Sequence, residues 1–152
     1  FPGFLGWTVW YHFGDQTPAT PDGRLAGTPL ANSLAPCTGV AVKGTPSMIL
    51  SASKLDHSRG LGGMVFNLRF GANSISTDEG VERLSSLIEA SLEVGTYMVQ
   101  IDLASVQALR AAQKSPDDYT DLYVRIGGYL VPFTLLPSNA QEEVISRTEL
   151  DL

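Results

Sequence analysis

Cysteine is almost absent from this chain: Cys37 stands alone among 152 residues. A single cysteine excludes an internal disulfide and any zinc or iron–sulfur site built on the chain's own cysteines. Charge is scarce as well. Asp, Glu, Lys and Arg make up 17%, against about a quarter in an ordinary globular domain, so part of the surface is expected to be covered by a partner. The Lys and Arg residues number 10, form no basic cluster, and leave a net charge of −6. That balance argues against nucleic acid as a ligand. No apolar run approaches the length of a membrane span. No signal-peptide pattern is seen, and the first residue is Phe1 rather than Met, so a natural N-terminus is expected further upstream. His12 and His57 have no second metal ligand at useful spacing and read as hydrogen-bonded structural residues; no metal site is expected.

What is present is enough apolar material, 43% of residues, for a real core in one domain or in a piece of something larger. Phe4 to Phe13 reads as a strand, with Leu5, Trp7, Val9, Tyr11 and Phe13 on one face and Thr8, Trp10 and His12 on the other. Trp7, Trp10 and Tyr11 lack basic neighbours, so they read as core or interface rather than as a nucleobase platform. A loop of about two dozen residues rich in Pro, Gly, Thr and Asp follows and ends near Gly44, long enough to be functional or to wrap a surface. Ser47 to Ser53 reads as a helix or short connector, and Met64 to Phe70 as a strand. An amphipathic helix is expected from a capping box of Ser76 and Glu79. Val81, Leu84, Leu87, Ile88 and Leu92 form its apolar stripe, and Gly95 ends it. Tyr97 to Leu103 is the next strand, and Ser105 caps a helix through Lys114 with Leu109 and Ala112 inward. Ser115-Pro116 opens a short turn of helix, and Leu122 to Ile126 leads into Gly127-Gly128. A last helix opens at Pro137-Ser138, with Gln141 completing a second capping box and Val144-Ile145 as its apolar contacts. Strand and helix alternate, so the fold class is α/β.

The stretch Val124-Arg125-Ile126-Gly127-Gly128-Tyr129 stands out. Glycine has no Cβ, so its backbone reaches conformations closed to other residues. That suits a tight turn, which Gly-Gly commonly marks. It also suits a stable radical on the α-carbon, flattened between amide nitrogen and carbonyl. From these residues alone both readings stand open.

Six segments in order narrow the choice. They are Ala19-Thr20-Pro21-Asp22-Gly23-Arg24-Leu25-Ala26-Gly27-Thr28-Pro29-Leu30-Ala31; Lys43-Gly44 through Ser51-Ala52-Ser53-Lys54-Leu55-Asp56; Asn67-Leu68-Arg69-Phe70; Val99-Gln100-Ile101-Asp102 with Leu109 and Ala112-Gln113; Arg125-Ile126-Gly127-Gly128-Tyr129; and Glu142 to Glu149 with Ile145, Arg147 and Thr148. Together they resemble the C-terminal portion of the glycyl radical enzymes, the family of pyruvate formate-lyase, the glycerol and hydroxyproline dehydratases and the arylacetate decarboxylases.

The resemblance implies residues 1–70 as a C-terminal segment of a ten-stranded α/β barrel carrying the Asp-Gly-Arg loop, and residues 71–152 as the glycyl radical domain. It implies Gly128 as the catalytic residue that holds the radical, supported by Arg125, Gly127 and Tyr129. Arg125 is read as orienting the loop or making a surface salt bridge, and Tyr129 as packing or making a specific hydrogen bond near the radical. Asp22 and Arg24 mark a loop read as an Asx turn, with a substrate-side or interface role as the functional alternative. No cofactor is expected on the chain itself. The family's radical is installed by a radical S-adenosylmethionine activating enzyme whose iron–sulfur cluster belongs to that partner.

Three departures from the family pattern matter. The first half of the family's length is not in these residues. The family's catalytic cysteine, in a Gly-Cys context upstream, is not Cys37, which follows Pro36 and reads as a small buried side chain. Asp102 stands where Asn is usual, and the stretch from His12 to Thr20 looks shortened. The expectation is therefore a radical-storing subunit or C-terminal piece, inactive alone. It would work with a larger subunit that carries the catalytic cysteine and the rest of the barrel, on a small-molecule substrate of dehydratase, lyase, decarboxylase or acyltransferase type. The implied setting is the cytoplasm of an anaerobic or facultative microbe. Two alternatives stay open: a spare part that replaces an oxygen-cleaved radical domain, and a non-catalytic interaction domain.

Overall fold

The computed structural model describes residues 2–4, 9–37, 39–126 and 128–146. Leu5, Trp7, Gly127, Arg147, Thr148 and Glu149, all named above, lie outside the described residues. The chain is mixed α/β. Helix α1 spans Trp10–Gln16 and α2 Thr45–Ala52; strand β1 spans Phe66–Phe70, α3 Asp78–Glu93, β2 Val99–Leu103, α4 Val106–Lys114, β3 Tyr123–Ile126, β4 Tyr129–Pro132 and α5 Ser138–Ser146.

The first expected strand is corrected. Among the described residues of that stretch only Phe4 makes a β contact, an isolated parallel bridge to Met64, and Trp10–Gln16 is helical. The alternation Val9, Tyr11, Phe13 suggested a period of two. The buried residues of α1, however, are Trp10 and Gly14, four apart on one helical face. The Trp10 indole N–H donates to Glu143 Oε1 on α5 at 2.9 Å. A buried tertiary anchor of this kind outweighs the β preference of aromatic residues, which is itself mostly a statement about packing.

Strands β1 and β2 pair in parallel, Phe66 opposite Val99 through Phe70 opposite Leu103. The crossover between them runs through α3, which makes a βαβ unit. Its ladder joins residues on either side of residue 70. One face of β1 is apolar and buried, with Phe66, Leu68 and Phe70 at 0–2% exposure, while the other carries Asn67, half-buried, and the buried Arg69. Around it Met48, Ile49 and Ala52 of α2 close one core cluster, with Leu84, Leu87, Val99 and Ile101 packed against it.

The helix expected after Ser76 is present, with a different cap. Thr77, not Ser76, accepts the N–H of Gly80 at 3.1 Å, while Ser76 donates to the Asn73 carbonyl. Asp78 and Glu79 in the first turn favour the helix dipole. The apolar stripe finds only partial cover: Leu84 and Leu87 pack inward, whereas Val81 is 54% and Leu92 50% exposed.

The second core cluster joins α1, α4, α5 and the β3–β4 hairpin through Trp10, Leu109, Val124, Ile126, Phe133 and Val144, among others. Ser105 caps α4 as expected, accepting from Ala108 N–H at 3.3 Å. The capping box expected on α5 is not formed. The Gln141 amide instead reaches back to donate to the carbonyls of Phe133 and Leu136, at 3.2 and 3.0 Å.

Candidate functional site

Strands β3 and β4 run antiparallel, with Val124 opposite Val131, Arg125 opposite Leu130 and Ile126 opposite Tyr129. The Ile126–Tyr129 pair closes the hairpin, and Gly128 stands at its apex with φ +89°. An L side chain rarely adopts that value, so glycine is the residue the turn favours. A Cβ built at Gly128 would meet nothing within 4 Å. Among the described residues, the side of the α-carbon on which an L side chain would stand is open.

The hairpin has two faces because side chains alternate along a strand. Val124 and Ile126, at 4% and 3% exposure, anchor it in the core. The opposite face and the tip are uncovered: Tyr123 is 56%, Tyr129 71% and Leu130 68% exposed. Tyr129, read from the sequence as packing, has little cover among the described residues, none of whose elements lies over the apex. Arg125 is half-buried and lines a cavity of about 280 Å³ together with Arg69, Asp102, Tyr123 and Leu130. The structure thus brings Arg125, Gly128 and Tyr129 together on one hairpin.

Asp22 and Arg24 lie elsewhere, on the loop packed against α1. Gly14 of α1 meets that loop closely: a Cβ there would sit 2.3 Å from the Thr28 carbonyl oxygen. The Arg24 guanidinium turns into its own loop, donating to the carbonyls of Thr28 at 2.7 Å and Thr17 at 2.9 Å, and also to that of Pro18. The planar fork satisfies several carbonyls at once, which a lysine ammonium cannot do in the same geometry. Asp22 is exposed, and the Thr20 hydroxyl donating to it holds its carboxyl below the ordinary carboxylate range, helped by its own backbone N–H and the Arg24 charge. Arg24→Ala is expected to loosen residues 17–28 and to lower stability by about 1–3 kcal/mol. Limited proteolysis of that segment and a thermal melt read the effect, and Arg24→Lys should rescue little of it.

Cys37 is half-buried and unpaired. His57 is buried, with Nε2 3.0 Å from the Ala52 carbonyl oxygen and its ring edge-on to Tyr97, which agrees with a structural role. His12 is exposed and lies 3.2 Å from the Gln16 amide. Among the described residues no three His, Cys, Asp or Glu side chains gather to hold a metal ion.

Sequence reasoning missed the groups that hold the C-terminal helix under the hairpin. Glu143 is 6% exposed and accepts the Trp10 bond; Arg69 is 5% exposed and donates to the Val144 carbonyl. Arg110 and Gln113 of α4 both donate to Glu142, at 2.5 and 2.9 Å, and hold its carboxyl below the usual range. The helical spacing of Ala140, Glu143 and Val144 carried a signal for Glu143, since it puts the carboxylate on the buried face.

Known proteins share this arrangement. The "Probable dehydratase YbiW" of Escherichia coli (strain K12) is 38% identical over 138 residues, covering 90% of this chain and 17% of that protein. The trans-4-hydroxy-L-proline dehydratase of Clostridioides difficile is 33% identical over 142 residues, 93% of this chain and 18% of its own length. The glycerol-bound B12-independent glycerol dehydratase from Clostridium butyricum superposes with a TM-score of 0.94 at 38% identity, over 99% of this chain and 19% of that one. This chain spans less than a fifth of the length of each. The relatives are glycyl radical enzymes, and the fold seen here is that of their C-terminal region. A family model described as "Glycine radical" matches residues 30–134, well over half of the chain, and this chain therefore belongs to the glycyl radical family.

Proposed function

We propose that this chain stores a radical on the α-carbon of Gly128 and passes it to a cysteine that lies outside residues 1–152, within an enzyme of dehydratase or lyase type. The observation that carries this reading is the apex itself: a glycine at φ +89°, with open space at its α-carbon, on a hairpin whose other face is fixed in the core. Arg125 and Tyr129 support the loop.

The activating partner is a radical S-adenosylmethionine enzyme, which supplies the chemistry that removes one hydrogen atom from Gly128. The stored radical then takes the hydrogen of a thiol, and the sulfur radical takes one from a carbon of a small-molecule substrate. Each step exchanges bonds of similar strength, and exclusion of water and oxidants prevents quenching. The exposed Tyr123, Tyr129 and Leu130 support a covered working state, since a radical at an open apex would not survive. The partly bare α3 stripe and the two-stranded β1–β2 sheet support insertion into a larger ten-stranded barrel. Asp22, exposed at the tip of its loop, is a contact point for that larger body. The setting is cytoplasmic.

A spare-part role, replacing an oxygen-cleaved radical domain, is the second reading. Proteins of that kind resemble only the last part of the family. The likeness to dehydratases covers 90% and 93% of this chain and so takes in the Asp22-Gly23-Arg24 loop, which favours a working subunit or segment instead.

Reconstitution tests the proposal. Residues 1–152 alone should show no turnover above background. The chain combined with the larger body and activated without oxygen should turn over, and Cys37→Ser in that complex should leave the rate within about twofold, as expected for a substitution outside the reacting groups. Full activity of the isolated chain, or complete loss with Cys37→Ser and intact assembly, would contradict it.

A further inference from the structure

The cavity behind the hairpin is lined by two arginines and a single carboxylate. Arg69 and Asp102 are register partners on the parallel β1–β2 pair. Arg125 comes from β3, paired with Leu130 of β4. These elements belong to two separate sheets, and a cavity of about 280 Å³ brings Arg69, Asp102 and Arg125 around one space. Asp102 is the only carboxylate among the residues that line it. None of the three is without a partner. Arg69 is nearly inaccessible and is held from the other side by the Val144 carbonyl of α5.

From this arrangement we propose that Asp102 is a positioning residue for the radical hairpin: its carboxylate balances Arg69 and Arg125 across the cavity and so ties the β3–β4 hairpin to the parallel sheet. A guanidinium moved out of bulk water needs a carboxylate or several carbonyls, because an uncompensated half-buried charge is unfavourable. A carboxylate facing a guanidinium also fixes orientation, since both groups are planar and bond in pairs. Arg125 stands three positions before Gly128 on the strand that leads to the apex. Fixing Arg125 therefore fixes the direction in which the apex is presented, both to the activating partner and to the thiol. The tertiary fold alone makes this possible, since Asp102 and Arg125 come from different sheets. The role rests on Gly128 being the radical site, but the tie between sheet and hairpin exists with or without a radical.

Amide hydrogen exchange in the full protein, before activation, reads the tie directly. Asp102→Ala should raise exchange at the amides of Tyr129, Leu130 and Val131 by roughly tenfold, the effect of one lost charge-assisted bond, while the amides of α5 exchange as before. Arg125→Ala should do the same, and the double variant should add little to either, because the two act through one interaction. Asp102→Asn keeps an acceptor without the charge and should give a smaller rise; it serves if the alanine variant does not fold. After anaerobic activation, the Asp102 variants should lose their radical signal faster than the unaltered protein. Unchanged exchange in both Asp102 variants, an equal rise in α5 and the hairpin, or additive effects in the double variant would each overturn the proposal. Absence of any radical in the unaltered protein, with the exchange pattern as expected, would instead remove the Gly128 reading and leave the tie standing.

Discussion

Gly128→Ala should abolish the electron paramagnetic resonance doublet of the activated protein and leave its fold nearly intact. The doublet is expected because a glycyl radical keeps one α-hydrogen, and that hydrogen splits the signal in two. Alanine removes both features the site depends on. A methyl group crowds the planar radical, and the residue no longer adopts φ +89° without strain. The structural effect should be small, because a Cβ at this position meets nothing within 4 Å. Only the unfavourable backbone conformation remains, worth about 1–2 kcal/mol for an L-residue, or a few degrees in Tm for a chain of this size. The measurement is made in the full protein, activated without oxygen by the enzyme that serves it. A doublet that persists in Gly128→Ala would move the radical to Gly127 or beyond; a protein that no longer folds would show that the turn matters more than its open geometry indicates.

Oxygen should cut the activated chain at Gly128, and the cut pieces should stay together. A carbon radical in a peptide adds oxygen, and the peroxyl product breaks the backbone. Mass spectrometry should therefore find an N-terminal fragment ending near Gly127 and a small piece beginning near Tyr129. That small piece carries β4, the turn Phe133–Leu135 and α5. It is held by the β3–β4 ladder, by the Trp10–Glu143 bond, by Arg69 on the Val144 carbonyl and by Arg110 on Glu142. Phe133, Val144 and Ile145 lie in the core it shares with α1 and α4. Burial of three such side chains contributes on the order of 5–8 kcal/mol, comparable with the free energy of a micromolar complex, about 8 kcal/mol. At tens of micromolar the fragments should co-elute on native gel filtration and separate only in denaturant. Full-length chain after aeration of a confirmed radical would count against the site itself. Release of the small piece under native conditions would show that the core contacts do not hold it, and would favour easy replacement by a spare part.

Local chemistry determined a good deal of this before any fold was visible. Ser105 before an apolar helical pattern, Gly95 after one, and Gly127-Gly128 between two β-prone runs each specify their own backbone, because caps and turns depend on neighbours only a few positions away. Helix α4, strand β1 and the hairpin follow from such signals. The six motifs, read in order, also pointed to the family. Other features depended on residues far apart in sequence. Trp10 lies on a helix and its indole N–H donates a hydrogen bond to Glu143, 133 positions on, and no local pattern at Phe4 to Phe13 contains that fact. Thr77 displaced Ser76 as a cap, and Gln141 turned from a box to two distant carbonyls, because several nearby polar groups competed and packing chose among them. Arg24 stands on a loop read as an Asx turn, with a substrate-side or interface role as the alternative, and only the fold shows its guanidinium turned inward to that loop's own carbonyls. The glycine proposed to hold the radical was legible in sequence. Arg125 and Asp102 were also singled out there, but their meeting with Arg69 around one cavity was not legible, since the three come from two sheets that meet only in the folded chain.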